Sequence, residues 1–202
     1  MTSKMSKMRS AFLLLAILLS TWTASAQEHL KLQFNFDHVS GKSVTDPVSG
    51  VTAQLMNEAS VVSYGSRHVL DLGNGTGYLD MIREAGAVVK GLADFTVSVY
   101  YRVDKNASLS GAGYFLWCFS QSAANTQTSA PYSAYRLNAQ RMATSTGGWG
   151  SEVGMETGAE ATKGKWTHVL YRQSGQQGEL FIDGKKVAQA AGMPVLSKAF
   201  TA

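Results

Sequence analysis

The sequence predicts an all-β chain, a two-sheet antiparallel sandwich of jelly-roll type. Three observations carry that prediction. Apolar and polar residues alternate with period two, most clearly at Leu30 to Phe36 and at Phe95 to Val103. Glycine is frequent, 20 of 202 residues, and separates short apolar stretches, while charged residues make up only 16%. Helical periodicity is nearly absent.

Taken in order, the elements read as follows. Leu30, Leu32, Phe34 and Phe36 alternate with Lys31, Gln33 and Asn35, which predicts a half-buried strand. Shorter strands follow at Val51 to Met56, Ser60 to Tyr64, His68 to Leu72 and Tyr78 to Ile82, separated by Ser, Gly and Asn clusters. Gly73-Asn74-Gly75-Thr76-Gly77 resembles a phosphate loop only in glycine content and reads as a tight turn. Asp80 to Lys90 has room for one short helical turn. Phe95 to Val103 is the longest alternating strand, and Tyr114 to Phe119 reads as a buried one. Ser120 to Ala130 is polar and reads as a loop. Tyr132 to Arg141 is a further strand, followed by the glycine-rich Thr146 to Gly150. Trp166 to Arg172, Glu179 to Ile182 and Lys185 to Gln189 complete the set. Asp183-Gly184 joins the last two as a hairpin, because both turn residues need positive φ.

The N-terminus carries an address. Lys4, Lys7 and Arg9 precede an apolar run of nine, Ala11 to Leu19, and Ala24-Ser25-Ala26 supplies small residues for cleavage. A secretory signal peptide over 1–26 and a mature domain over 27–202 are expected, with a secreted, periplasmic or cell-surface location. The run is too short to span a bilayer, which needs about 20 apolar residues. The formal charge of +4 comes mostly from this stretch; residues 27–202 carry 15 basic and 14 acidic residues. Nothing in that balance favours a nucleic-acid partner. Cys118 is the sole cysteine, so no internal disulfide forms, which fits bacterial export better than the disulfide-dense animal secretory class. Its apolar setting marks it as a structural thiol.

No catalytic residue is expected. Glycoside hydrolysis needs two facing carboxyls about 5 Å apart, or roughly 6.5–9.5 Å apart for inversion. On a strand that calls for Glu-x-Asp or Glu-x-Glu, and neither occurs; Glu152, Glu156 and Glu160 read as solvated loop charges. The four histidines, His29, His38, His68 and His168, lack zinc spacing, and no nucleophile elbow is present. No cofactor is expected beyond calcium, for which Asp37, Asp46 and Asp71 near strand ends are the candidate ligands.

Aromatic residues give the binding expectation. Sugar rings present apolar faces to Trp and Tyr, while Arg side chains satisfy hydroxyls. If Phe95, Val97 and Val99 point inward, Tyr100 and Arg102 point outward. Tyr132, Tyr135, Arg136 and Trp149 lie in polar or glycine-rich surroundings and complete the candidate carbohydrate-binding set. Trp117 and Trp166 read as core.

The stretch Lys165-Trp166-Thr167-His168-Val169, with Leu180-Phe181-Ile182-Asp183-Gly184-Lys185-Lys186-Val187, resembles the laminin-G-like, concanavalin A-like jelly-roll domains of bacterial secreted proteins. Leu32 to Asp37 and Asp94 to Tyr100 resemble that family's opening and mid-domain strands. The resemblance implies a concanavalin A-like sandwich. It also implies a non-catalytic carbohydrate-binding or accessory module of an exported polysaccharide-degrading protein, with a glycan and other domains of a longer polypeptide as partners. A protein-interaction or adhesion domain and a jelly-roll glycosidase are the alternatives. Family domains end on one or two further strands that pair beside the opening one, and Ser197 to Ala202 carries no such pattern. A truncated product or a fragment of a longer chain is therefore expected, because Leu30 to Phe36 would otherwise be an unpaired apolar edge.

Overall fold

The structure is a computed structural model, and it describes residues 29–110, 114–120 and 131–196. The expected signal peptide, most of the Ser120 to Ala130 loop and the final segment from Ser197 lie outside the described residues. The chain divides into two compact units, Met1–Ile82 and Arg83–Ala202.

Among the described residues, the first unit holds one four-stranded antiparallel sheet and one hairpin. Strands β1 (Val39–Ser40), β2 (Ser43–Thr45), β3 (Thr52–Met56) and β6 (Tyr78–Asp80) lie in the order β1-β2-β3-β6. Strands β4 (Ser60–Tyr64) and β5 (Arg67–Asp71) pair as the hairpin, turning at Gly65 with φ 61°. Val44, Leu55 and Ala59 form its core, with Phe34, Phe36, Val61, Leu70 and Leu79 packed against them. Leu30 to Phe36 is not a strand, contrary to expectation. Asp46 takes the Gln33 N–H at 3.0 Å, and Phe36 turns at φ 64°, so the two phenylalanines reach the core from an irregular segment. The glycine-rich stretch is a turn: the Gly75 and Gly77 N–H groups donate to the Leu72 carbonyl at 3.4 and 3.2 Å. Gly77 has no substitute there, since a Cβ would sit 2.6 Å from the Ala59 nitrogen.

The expected helical turn is a nine-residue helix, α1 (Ile82–Lys90). Asp80 Oδ1 accepts the Ile82 N–H at 2.9 Å, and Ala85 and Val89, four apart, are buried on one stripe. Glu84 in its first turn and Lys90 in its last suit the helix dipole.

The second unit is the sandwich. Strands β7 (Phe95–Arg102), β12 (Trp166–Ser174), β13 (Gln177–Ile182) and β14 (Lys185–Ala191) form a sheet in the order β14-β13-β12-β7. Strands β8 (Phe115–Ser120), β9 (Tyr132–Arg136), β10 (Arg141–Ser145) and β11 (Glu152–Glu156) form the other, in the order β11-β10-β9-β8. All pairings are antiparallel. The single strand expected over Tyr132 to Arg141 is thus β9, a turn, and the start of β10; Gln140, at φ 45°, makes the reversal. Strand β11 was not expected at all.

Alternation places Val99, Val169, Tyr171 and Leu180 of one sheet against Trp117, Tyr135, Met142 and Met155 of the other. A Cβ on Gly178 of β13 would lie 2.6 Å from Met155 Cε of β11, so a glycine lets the two inner faces close. The rings of Trp117 and Tyr135 stack at 4.9 Å, and Phe95 meets Tyr171 edge-on at 5.7 Å. Gln173 is buried but satisfied: its Oε1 accepts from the Tyr171 hydroxyl at 2.6 Å, and its Nε2 donates to the Gly175 and Pro194 carbonyls. The second unit is therefore the all-β, two-sheet antiparallel sandwich that the sequence predicts.

Candidate functional site

The candidate residues divide between the outward-facing sides of the two sheets of the second unit. That of β7 and β12 is exposed at Tyr100, whereas on β9 and β10 the outward Tyr132, Ala134, Ala143 and Ser145 are buried. On β7 and β12 the inward set is Val97, Val99, Val169 and Tyr171, so Ser98, Tyr100, Arg102, Trp166 and His168 stand on the outer side. Tyr100 is 66% exposed, the most open large hydrophobic side chain among the described residues. It lies directly opposite His168 in the register, and the two rings stack at 4.4 Å with 21° between their planes. Arg102 lies opposite Trp166, which is 38% exposed and so belongs to this surface and not to the core as expected. Residues two apart on a strand are about 7 Å apart, so Tyr100 with His168 and Arg102 with Trp166 form adjacent ranks on one pleated surface.

His168 is fastened from below. Its ring Nε2 lies 2.8 Å from Ser98 Oγ, its N–H donates to Asp183 Oδ1 at 2.9 Å, and its carbonyl accepts the Asp183 N–H at 2.8 Å. Asp183 and Gly184 make the expected tight turn at φ 48° and 77°. The bond from the His168 N–H, with Lys165 at 3.4 Å, holds the Asp183 carboxyl below the usual carboxylate range. Sequence reasoning missed Ser98, His168 and Asp183 because their association is a cross-strand fact with no local pattern.

The outer side of the β8–β11 sheet is different. Cys118, Ala134, Ala143 and Gly154 pair in register, giving a rank of small residues across all four strands. Tyr132, Ser145 and Glu152 form the rank on one side, and Arg136, Arg141 and Glu156 the rank on the other. Arg141 reaches over the small rank to Glu152, with Nη2 at 2.8 Å and Nε at 3.2 Å, and also meets Glu156 at 3.3 Å. Arg136 lies 3.7 Å from Glu152, and the Tyr132 hydroxyl donates to the same carboxylate. Burial pushes the Glu152 carboxyl up, but the Tyr132 and Arg141 hydrogen bonds and both guanidinium charges prevail, leaving it below the usual range. Glu152 and Glu156 are thus strand residues in an ion network, not solvated loop charges. Arg141 lies between these two carboxylates and bonds to both, so Glu152 and Glu156 do not face each other across open space. Glu160 stands apart, 3.4 Å from Lys163.

Trp149 sits in a short 3-10 turn, Trp149–Ser151, between β10 and β11 and is 45% exposed. Tyr135 corrects another expectation. It is fully buried against Trp117, on the opposite face of β9 from Tyr132 and Arg136, where no ligand reaches it. The Tyr101 and Tyr135 phenols are near enough to affect one another, without a hydrogen bond of ordinary geometry, and burial raises both above the usual phenol range. Burial also pushes the Cys118 thiol up to about 11, as befits a structural thiol.

The candidate calcium ligands are engaged separately. Asp46 accepts from the Gln33, Val48 and Ser49 N–H groups and from the Ser49 hydroxyl. Asp37 faces His68 at 3.0 Å, and Asp71 caps the Gly73 N–H at 2.9 Å. Among the described residues no three His, Cys, Asp or Glu side chains converge as metal ligands, and no helix is long and apolar enough to cross a membrane.

Comparison with known proteins agrees with this architecture. A family model described as the concanavalin A-like lectin/glucanases superfamily matches residues 73–202. Domain 4 of AbnA, a GH43 extracellular arabinanase from Geobacillus stearothermophilus solved with arabinotriose, shares the fold with a TM-score of 0.58 at 9% identity. That match covers 82% of this chain and 78% of the other. Residues 221–444 of an S-layer domain-containing protein from Clostridium thermocellum match with a TM-score of 0.49 at 18% identity, over 83% of this chain and 75% of that one. No curated protein matches in sequence.

Proposed function

Because the chain belongs to the concanavalin A-like lectin/glucanase superfamily, we propose that it is a non-catalytic carbohydrate-binding or accessory module of an exported bacterial polysaccharide-degrading protein. The observation that carries this reading is Tyr100. Water contact costs an exposed aromatic ring free energy, and a ring left two-thirds open on a rigid sheet suits an apolar face brought by a ligand. A sugar ring offers that face, and Arg102 in the next rank suits its hydroxyls. The charged N-terminal stretch followed by an apolar run supports export.

Arabinotriose is the first ligand to test, since a domain of the same fold was solved with it. A glycan array containing arabino-oligosaccharides should register binding by the full chain. Tyr100→Ala should weaken that binding on the order of tenfold while the melting temperature stays within a degree or two. An array flat for the unmodified protein overturns the reading, as does a Tyr100→Ala protein that binds as well as its parent.

A further inference from the structure

We propose that His168 is the positioning residue of this surface: it sets the Tyr100 ring in the pose that a ligand meets. The inference rests on the reading of Tyr100 as the stacking residue. An exposed tyrosine on a sheet has two rotatable side-chain torsions, and a ligand that stacks on it must immobilise both. Here the ring is already held, because one face lies on the His168 imidazole at 4.4 Å.

The imidazole can serve as a base plate because His168 is held at three points, one on the ring and two on its backbone. Ser98 Oγ, on the same strand as Tyr100 and diagonal to His168, holds ring Nε2 at 2.8 Å. The Asp183 side chain and main chain grip the His168 N–H and carbonyl, at 2.9 and 2.8 Å, and so fix the backbone from which the ring projects. Asp183 in turn belongs to a two-residue turn with both φ angles positive and is tied to Lys165. The chain of contacts runs from a hairpin turn to the exposed ring, and each member is a different kind of interaction. None of these side chains lies between the sheets, so their common product is the orientation of Tyr100 and not the core.

Three variants of the full chain test this: His168→Ala, His168→Phe and Ser98→Ala. In the unliganded protein, the Tyr100 ring protons should carry a ring-current shift in the NMR spectrum. His168→Ala should abolish that shift, His168→Phe should retain it because a ring still lies beneath, and Ser98→Ala should reduce it. Affinity for arabinotriose should follow the same order, falling about 3–10-fold in His168→Ala and recovering to within about twofold in His168→Phe. All three should melt at the temperature of the parent. The proposal is overturned if His168→Ala keeps both the shift and the affinity, or if His168→Phe keeps the shift without restoring the affinity. Should the unmodified protein fail to bind arabinotriose, that sugar is wrong as the ligand. The ring-current shift then decides by itself whether His168 positions Tyr100.

Discussion

Replacing Glu152 with alanine should destabilise the sandwich far more than the same change at Glu156, although the two lie four residues apart on one strand and one face. The difference follows from surroundings. The Glu152 side chain is 14% exposed, that of Glu156 46%. Glu152 accepts from the Tyr132 hydroxyl and from two nitrogens of Arg141, with Arg136 at 3.7 Å, whereas Glu156 has one contact with Arg141. Breaking a fully buried ion pair costs about 3–5 kcal/mol. Arg141 keeps Glu156 as a partner and both guanidiniums retain some solvent contact, so about 2–3 kcal/mol is expected for Glu152→Ala. Glu156→Ala should cost at most about 1 kcal/mol, as exposed pairs do. Glu152→Gln, which keeps an acceptor and loses the charge, should fall between. Urea unfolding followed by tryptophan fluorescence is the assay, since Trp117, Trp149 and Trp166 all lie in the second unit. The carboxyl is held below its unfolded value of about 4.3. Its stabilisation is therefore complete above that pH and is lost as pH falls through the folded value, so Glu152→Gln should flatten the acid limb of stability against pH. Equal costs at positions 152 and 156, or less than about 0.5 kcal/mol for Glu152→Ala, would refute the reasoning.

Asp46 gives a second pH-dependent prediction, in the first unit. Its burial raises the carboxyl pKa, but the bonds from Ser49, Val48 and Gln33 outweigh that and leave it lowered, so its contribution is present at neutral pH and fades in acid. Asp46→Asn keeps Oδ1 as acceptor for the Gln33 and Val48 N–H groups but turns an amide donor toward the Ser49 N–H and hydroxyl that Oδ2 accepts. Amide exchange at Ser49 should accelerate at least about tenfold at neutral pH, and an unchanged rate would count against it. Gly154→Ala should cost about 1–3 kcal/mol, because the new Cβ would lie 2.5 Å from the Met142 carbonyl and 2.9 Å from Ala143 Cβ. Gly178→Ala should cost less, since its nearest neighbour is the mobile tip of Met155; the reverse order in thermal melts would contradict the packing account.

Much of the second sheet was hidden from a linear reading for a definable reason. Tyr132 to Arg136 and Arg141 to Ser145 are buried on both faces, so neither shows a clean two-residue alternation, and a positive-φ glutamine, not a glycine, makes the turn between them. Glu152, Gly154 and Glu156 look like loop residues because their outer face holds charges and a glycine; that choice makes sense only once Arg141 is seen to cross over Gly154. The reverse error occurred at Leu30 to Phe36, where alternation without a ladder partner among the described residues made an irregular segment look like a strand. Periodicity reports which side chains are buried, and burial does not require a sheet.

By itself the sequence determined the fold class and the Asp183-Gly184 hairpin. Period-two burial in β7 and β12 and the positive-φ demand of Asp183-Gly184 are local properties of the backbone and its neighbours. It also determined that Tyr100 and Arg102 face outward, since parity along one strand fixes facing. Only the tertiary structure decided that Tyr135 belongs to the core, that Trp166 joins the open surface, and that His168 lies under Tyr100. Those outcomes depend on which residue stands opposite which across strands some seventy positions apart, and cross-strand register is set by the packing of whole sheets.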